Sequence, residues 1–191
     1  MVIGEWPSKE DSRSGRPFSG KIGGELTRFL SGVGVPARDD CYLTLWIKQW
    51  CGPDADYAAS EFADYEGALV DEIRRVQPRL VLCLGRSIVR YFLGDVDLDE
   101  TFAIPWRLPQ SSPRRELFVS PEAVVIFAAY SPGAGMRSPE ISARIAYQFT
   151  QLESVVDGTL IARHLYDDPI PNPTYTLLKG DEVCRVLLDL Y

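Results

Sequence analysis

Four short runs of β-type apolar residues punctuate the chain, and each gives way to a polar turn and then to a helical pattern. They are Met1-Val2-Ile3, Tyr42 to Ile47, Leu80-Val81-Leu82-Cys83-Leu84 and Ala123 to Ala129. Continuous apolar runs of this length suit strands covered on both faces. Between them, Ile22–Leu30, about Ser60–Val76, Ser87 to about Leu93 and Pro139 to about Val155 carry apolar residues at helical spacing. This alternation leaves few architectures open. It predicts an α/β fold, a three-layer α/β/α sandwich around a central, mostly parallel four-stranded sheet. Ligands of such sheets sit at the carboxyl ends of the strands, so the turns at Glu5, Trp46, Gly85 and Ser131 are expected to converge on one edge. The stretch from Gly94 to Pro121 holds Pro105, Pro109, Pro113 and Pro121 and predicts irregular chain with a short hairpin around Phe118.

The first strand opens into the most distinctive loop. Gly4-Glu5-Trp6-Pro7 leads through Ser8-Lys9-Glu10-Asp11-Ser12-Arg13-Ser14 to Gly15-Arg16-Pro17-Phe18-Ser19-Gly20. Its glycines permit tight turns, and Pro17 fixes the approach of Phe18. An aromatic face is thereby offered beside carboxylates and cations, which suits a planar, polar ligand such as a nucleobase. The same residues also read as a loop of ordinary solvated charges.

Global charge limits the partners. A formal charge of −7 and a pI near 4.8 exclude a general nucleic-acid coat, which needs a basic surface. A local basic footprint is compatible with that total. Lys9, Arg13, Arg16 and Lys21 cluster in the opening loop, and Arg114, Arg115 and Arg137 lie in later ones. No apolar run approaches the roughly 20 residues that span a bilayer, and no basic-then-apolar leader is present, so a cytoplasmic protein without membrane contact is expected. Cys41, Cys51, Cys83 and Cys184 show no CxxC spacing and read as reduced thiols, with no metal site.

The chain divides into a domain over residues 1–157 and a tail over 158–191. In the tail, Asp167-Asp168-Pro169-Ile170-Pro171-Asn172-Pro173 predicts a stiff linker, followed by one strand and one helix. That tail is a candidate site for a protein partner, and a monomer is expected otherwise.

Taken in order, these motifs resemble the uracil-DNA glycosylase superfamily, most closely its iron–sulfur type (family four). The family's opening Gly-Glu-Ala-Pro-Gly, acidic pair and Gly-Arg-Pro-Phe-x-Gly match Gly4-Glu5-Trp6-Pro7-Ser8, Glu10-Asp11 and Gly15 to Gly20. Its Pro-Lys-x-Ile-x-x-Leu-Gly strand matches Pro78 to Gly85, and its His-Pro-x-x-x-x-Arg loop aligns with Ser131 to Arg137. The resemblance covers roughly Met1 to Val155. Three departures stand out. Leu45 occupies the place of the asparagine that reads uracil, Ser131 that of the histidine that stabilises the departing base, and the four cluster cysteines are absent. The resemblance therefore implies no iron–sulfur cluster and no other cofactor.

The family's reaction flips a base from the stack and hydrolyses its bond to deoxyribose through an oxocarbenium-like sugar. Glu5 stands in the position implied for the catalytic carboxylate, with Asp11 second and Glu10 third. Phe18 is the implied stacking platform; Leu45, Trp46 and Ser131 are the remaining base-binding candidates. Arg16 and Arg137 are candidate phosphate contacts. Met136 stands where the family inserts an apolar wedge, and Gly133 with Gly135 opens the closing loop. Trp6 and Trp50 are further candidates for the wall of a wide pocket, although buried tryptophans usually belong to a core.

Two functions follow. One is a monofunctional DNA glycosylase, inefficient on uracil and retuned for a bulky modified base such as glucosylated 5-hydroxymethylcytosine of phage DNA. It would leave an abasic site and serve antiviral defence. The other is an inactive module of the same fold that binds DNA or a DNA polymerase.

Overall fold

In the computed structural model, which describes residues 1–35, 40–52, 59–158 and 163–164, β1 (Val2–Gly4), β2 (Leu43–Leu45), β3 (Leu80–Leu84) and β5 (Val125–Ala129) run parallel. Val2 pairs with Leu43 on one side and Leu82 on the other, and Leu80 to Leu84 pair with Val125 to Ala129. These are the four strands expected from the apolar runs. Two short strands extend them: β4 (Pro105–Arg107) pairs antiparallel with β5, and β6 (Arg163–His164) pairs parallel with β4. The full order is β2-β1-β3-β5-β4-β6.

The helices are α1 (Lys9–Ser14), α2 (Gly20–Gly32), α3 (Ala59–Val76), α4 (Arg86–Leu93), α5 (Leu98–Thr101), α6 (Pro132–Gly135) and α7 (Pro139–Val156). Side chains alternate across the strands and build a core on each face. Ile3, Val81, Cys83, Ile126 and Ala128 pack toward Leu69 and Ile73 of α3 and Ile88, Val89 and Phe92 of α4. Val2, Leu45, Leu82, Leu84 and Phe127 pack toward α2 and α7, where Phe29 and Phe149 stack with centroids 4.9 Å apart.

The irregular stretch departs from expectation. Phe118 follows a turn of 3-10 helix, Pro113–Leu117, and is buried; the hairpin-like pairing of this region lies earlier, at β4. Pro105 is tolerated there as the first residue of its strand. The Pro-rich linker, the strand–helix tail and Cys184 lie outside the described residues. Among those described, no helix is long and apolar enough to cross a membrane.

Candidate active site

The connections reverse direction at β1: β2 lies on one of its sides, and β3 and β5 on the other. Such a switch point leaves a crevice at the carboxyl ends of the strands. A cleft of about 660 Å³ occupies it, lined by Glu5 after β1, Gly85 and Arg86 after β3, and Tyr130 and Ser131 after β5.

Glu5 is the focus of this edge. Its Oε1 accepts a hydrogen bond of 2.8 Å from the backbone N–H of Ser87, in the first turn of α4. A helix amino terminus favours a carboxylate through its unpaired N–H groups and dipole. Gly85 lets the two approach: its φ is 128°, and a Cβ there would lie 2.3 Å from Glu5 Cδ and 2.4 Å from Oε2. Burial raises the Glu5 pKa above its ordinary value, opposed by the Ser87 hydrogen bonds and the charge of Arg86. The result is a fixed, partly desolvated carboxylate more basic than one in water.

Asp11 lines the same cleft but is otherwise employed. Its Oδ2 accepts from the Ser8 N–H at 2.8 Å and its Oδ1 from the Ser19 N–H at 2.5 Å, while Ser8 Oγ accepts from the Asp11 N–H at 3.2 Å. This is a capping box, and it turns residues 9–14, expected as loop, into α1. With both oxygens accepting from backbone donors, Asp11 organises the loop while it lines the cleft. Glu10, the third carboxylate, is exposed and packs its stem over Gly20.

Phe18 and Leu45 form an apolar floor. Both are buried, and a Cβ on Gly4 would meet Phe18 Cζ at 2.8 Å and Leu45 Cδ2 at 2.9 Å. Phe18 has a φ of 54°, an uncommon conformation that costs roughly 1–3 kcal/mol and persists only where its surroundings enforce it. They do so here. The Ser19 N–H is tied to Asp11, and the Phe18 carbonyl oxygen lies only 1.5 Å from where a Cβ on Gly23 would be.

Ser131 lines the opposite wall and stands at the N-cap of α6 without using its hydroxyl as a cap. The glycines of this turn do not widen it. A Cβ on Gly133 would press on Ile22 Cδ1 at 3.0 Å and one on Gly135 on Ile145 Cδ1 at 2.9 Å, so both glycines seat α6 closely on its neighbours. Arg137 is exposed at the cleft, and Met136, 51% exposed, does not line it.

Two candidates fall elsewhere. Trp46 follows Leu45 along the chain and faces the other side of the sheet, edge-on to Phe62 and Tyr91 with centroids 4.9 and 4.6 Å away. It is a core residue and does not line the cleft. Arg16 lines an adjoining hollow of about 390 Å³ with Tyr42 and Lys48, which shares Pro7, Asp11 and Leu45 with the cleft. The cleft also holds Lys9 of the basic opening loop, Gly85 of the strand-end turns, and two residues that their sequence did not single out, Arg86 and Tyr130. Gln148, buried on α7, accepts from the Tyr130 N–H at 2.9 Å and fixes that corner.

Three of the four cysteines lie among the described residues. Cys83 is buried within β3, Cys41 is half-buried and Cys51 is exposed. Among the described residues no three metal-ligating side chains converge.

A sequence profile of the Uracil DNA glycosylase superfamily matches residues 1–148. Over 103 residues the chain is 30% identical to the Type-4 uracil-DNA glycosylase of Archaeoglobus fulgidus, an alignment covering 53% of this chain and 50% of that protein. It is 23% identical over 160 residues to the Type-4 uracil-DNA glycosylase of Sulfurisphaera tokodaii, covering 81% and 69% of the two chains. Against the Saccharolobus solfataricus protein of the same name, identity is 23% over 164 residues, covering 83% and 71%. The chain thus spans half the length of the first of these relatives.

Proposed function

The chain belongs to the uracil-DNA glycosylase superfamily, and from that premise we propose that it is a monofunctional DNA N-glycosylase of altered specificity, excising a bulky modified base. The observation that carries this reading is Glu5, a carboxylate made more basic by burial and held by the Ser87 N–H at the edge of an apolar floor. A flipped base lies on Phe18. As the bond from C1′ to the base nitrogen lengthens, its electron pair leaves with the base and the sugar gains oxocarbenium character. Ionised Glu5 favours that cation and orients a water on C1′. The water oxygen bonds to C1′, its proton passes to the carboxylate and from there to the departed base, and an abasic site remains.

The floor argues against uracil as the preferred base. Leu45 offers neither donor nor acceptor to a pyrimidine edge, forfeiting about 1–3 kcal/mol of polar discrimination. Ser131 brings an uncharged hydroxyl where an imidazole would help the leaving anion. The cleft volume falls in the range of roughly 300–1,000 Å³ that holds drug-sized ligands, larger than a bare pyrimidine requires. A base enlarged by a sugar, such as glucosylated 5-hydroxymethylcytosine in phage DNA, suits those dimensions. Such selectivity would destroy foreign genomes and spare unmodified DNA, a role in antiviral defence.

The test is excision from a panel of oligonucleotides bearing uracil, 5-hydroxymethylcytosine, its glucosylated form and modified thymines, with alkali revealing abasic sites. Release of a bulky base with uracil untouched is expected. Glu5→Gln should lower that rate by roughly 10²–10⁴ while leaving DNA binding nearly intact. Efficient release of uracil would overturn the altered specificity. No release from any substrate would overturn the enzyme and favour a DNA-binding module.

A further inference from the structure

Trp6 follows Glu5 directly, yet it is 46% exposed while lining the same cleft. Its ring is braced edge-on against Phe62, centroids 6.5 Å apart at 65°, and Phe62 is braced in turn against Trp46. A large aromatic face is therefore held at the mouth by an aromatic stack reaching into the core, with Trp50 on the same cleft. Burying a ring of this size is favourable, and an exposed one on a rigid support is a ready stacking surface.

The cations nearby have a matching character. Lys9, Arg86 and Arg137 come from three different strand-end connections and all line this cleft. Among the described residues, none of the three forms an ion pair. In a chain of net charge −7, three cations from three connections that converge on one opening, where Glu5 and Asp11 are the lining carboxylates, mark a place for an external anion. A rigid aromatic platform flanked by basic side chains is the arrangement that takes single-stranded nucleic acid, base on ring and phosphate on cation.

We propose that Trp6, with Lys9, Arg86 and Arg137 around it, is a second nucleotide subsite, which stacks the base adjoining the excised one and makes unpaired DNA the preferred substrate. In a duplex that neighbouring base is stacked on both sides, and reaching Trp6 requires unstacking it as well. In a single strand the cost is small. The inference rests on the reading of this cleft as a DNA site and adds to it a strand preference and a neighbour contact.

The experiment measures binding, so it is separable from excision. The full chain is titrated against a labelled single-stranded oligonucleotide carrying a stable abasic analogue at the target position. Companion oligonucleotides lack in addition the base on the 5′ or the 3′ side. Deleting one of these neighbours is expected to weaken binding at least about fivefold, and Trp6→Leu to weaken binding of the parent oligonucleotide by a similar factor. Combined, the two changes should cost no more than either alone, because they remove the same contact. The duplex form should bind more weakly than the single strand. Arg86→Gln and Arg137→Gln should each lower the salt slope by about 0.7. Additive losses, indifference to both neighbours or tighter binding of the duplex would overturn the subsite. The DNA-side deletions need no variant, so a misfolded Trp6→Leu leaves the test intact. Inactivity on every modified base with this binding pattern preserved would remove the glycosylase reading alone.

Discussion

Two carboxylates reach one cleft from the two ends of a seven-residue stretch, and their surroundings part them. Asp11 accepts through both oxygens from the N–H groups of Ser8 and Ser19, which tie it to the backbone of its own loop. Glu5 accepts from the Ser87 N–H through Oε1, and burial, not pairing, dominates its ionisation. The first region is backbone stitched by a side chain; the second is a side chain presented by a backbone. What separates the two acids here is the number of backbone donors that have claimed each.

The sharpest way to break this contrast is Asp11→Ala. Removing an acceptor that satisfies two N–H groups should cost about 2–4 kcal/mol in denaturant unfolding. Asp11→Asn, which can accept with one atom only, should fall between. If Asp11→Ala is as stable as the parent but inactive, Asp11 belongs with the chemistry after all. Gly85→Ala comes next. It forces a Cβ into Glu5 at a φ of 128°, so a loss of about 1–3 kcal/mol together with a clear fall in excision rate is expected. A stable and fully active Gly85→Ala would mean that Glu5 works from another position.

The smallest effect concerns pH. Glu5 keeps its proton to higher pH in the folded chain than in the unfolded one, where its value is near 4.5. Ionised Glu5 therefore carries a stability penalty that is absent below the unfolded value and complete above the native one. Glu5→Gln should raise the melting temperature slightly at neutral pH, and the advantage should vanish on acidification. An advantage that grows toward acid pH would refute the assigned shift. For excision, the acid limb of the pH–rate profile should lie above the ordinary glutamate range.

Much of this was legible in the chain. Four apolar runs became β1, β2, β3 and β5 because strands buried on both faces leave an unbroken signature. Glu5, Leu45 and Ser131 do share a cleft, since each closes or follows a strand on the same sheet edge, and the connection between α1 and α2 brings Phe18 to it. Trp46 was misplaced for the same reason that its strand was easy to see. A continuous apolar run hides which residue faces which layer, and neighbours in a strand point opposite ways. A helix at Lys9–Ser14 had a signal, the Ser8-x-x-Asp11 spacing, obscured by polarity. Strands β4 and β6, at three and two residues, exist through their partners and leave no local pattern. Arg86 stands next to Gly85 at a strand end, the position already expected to face ligand, yet nothing in its own identity set it apart from other surface arginines.

The left-handed backbone at Phe18 bears on how the molecule might be remade. The ring's pose is dictated by its own carbonyl lodged over Gly23 and by the tether from Ser19 to Asp11, none of which depends on the side chain beyond Cβ. Leu45 and Ser131 reach the same cleft from separate elements and share none of those constraints. One jaw of the site is thus cast in place while the other is adjustable. Selectivity for a new base can be sought at positions 45 and 131 with the stacking platform carried along unchanged.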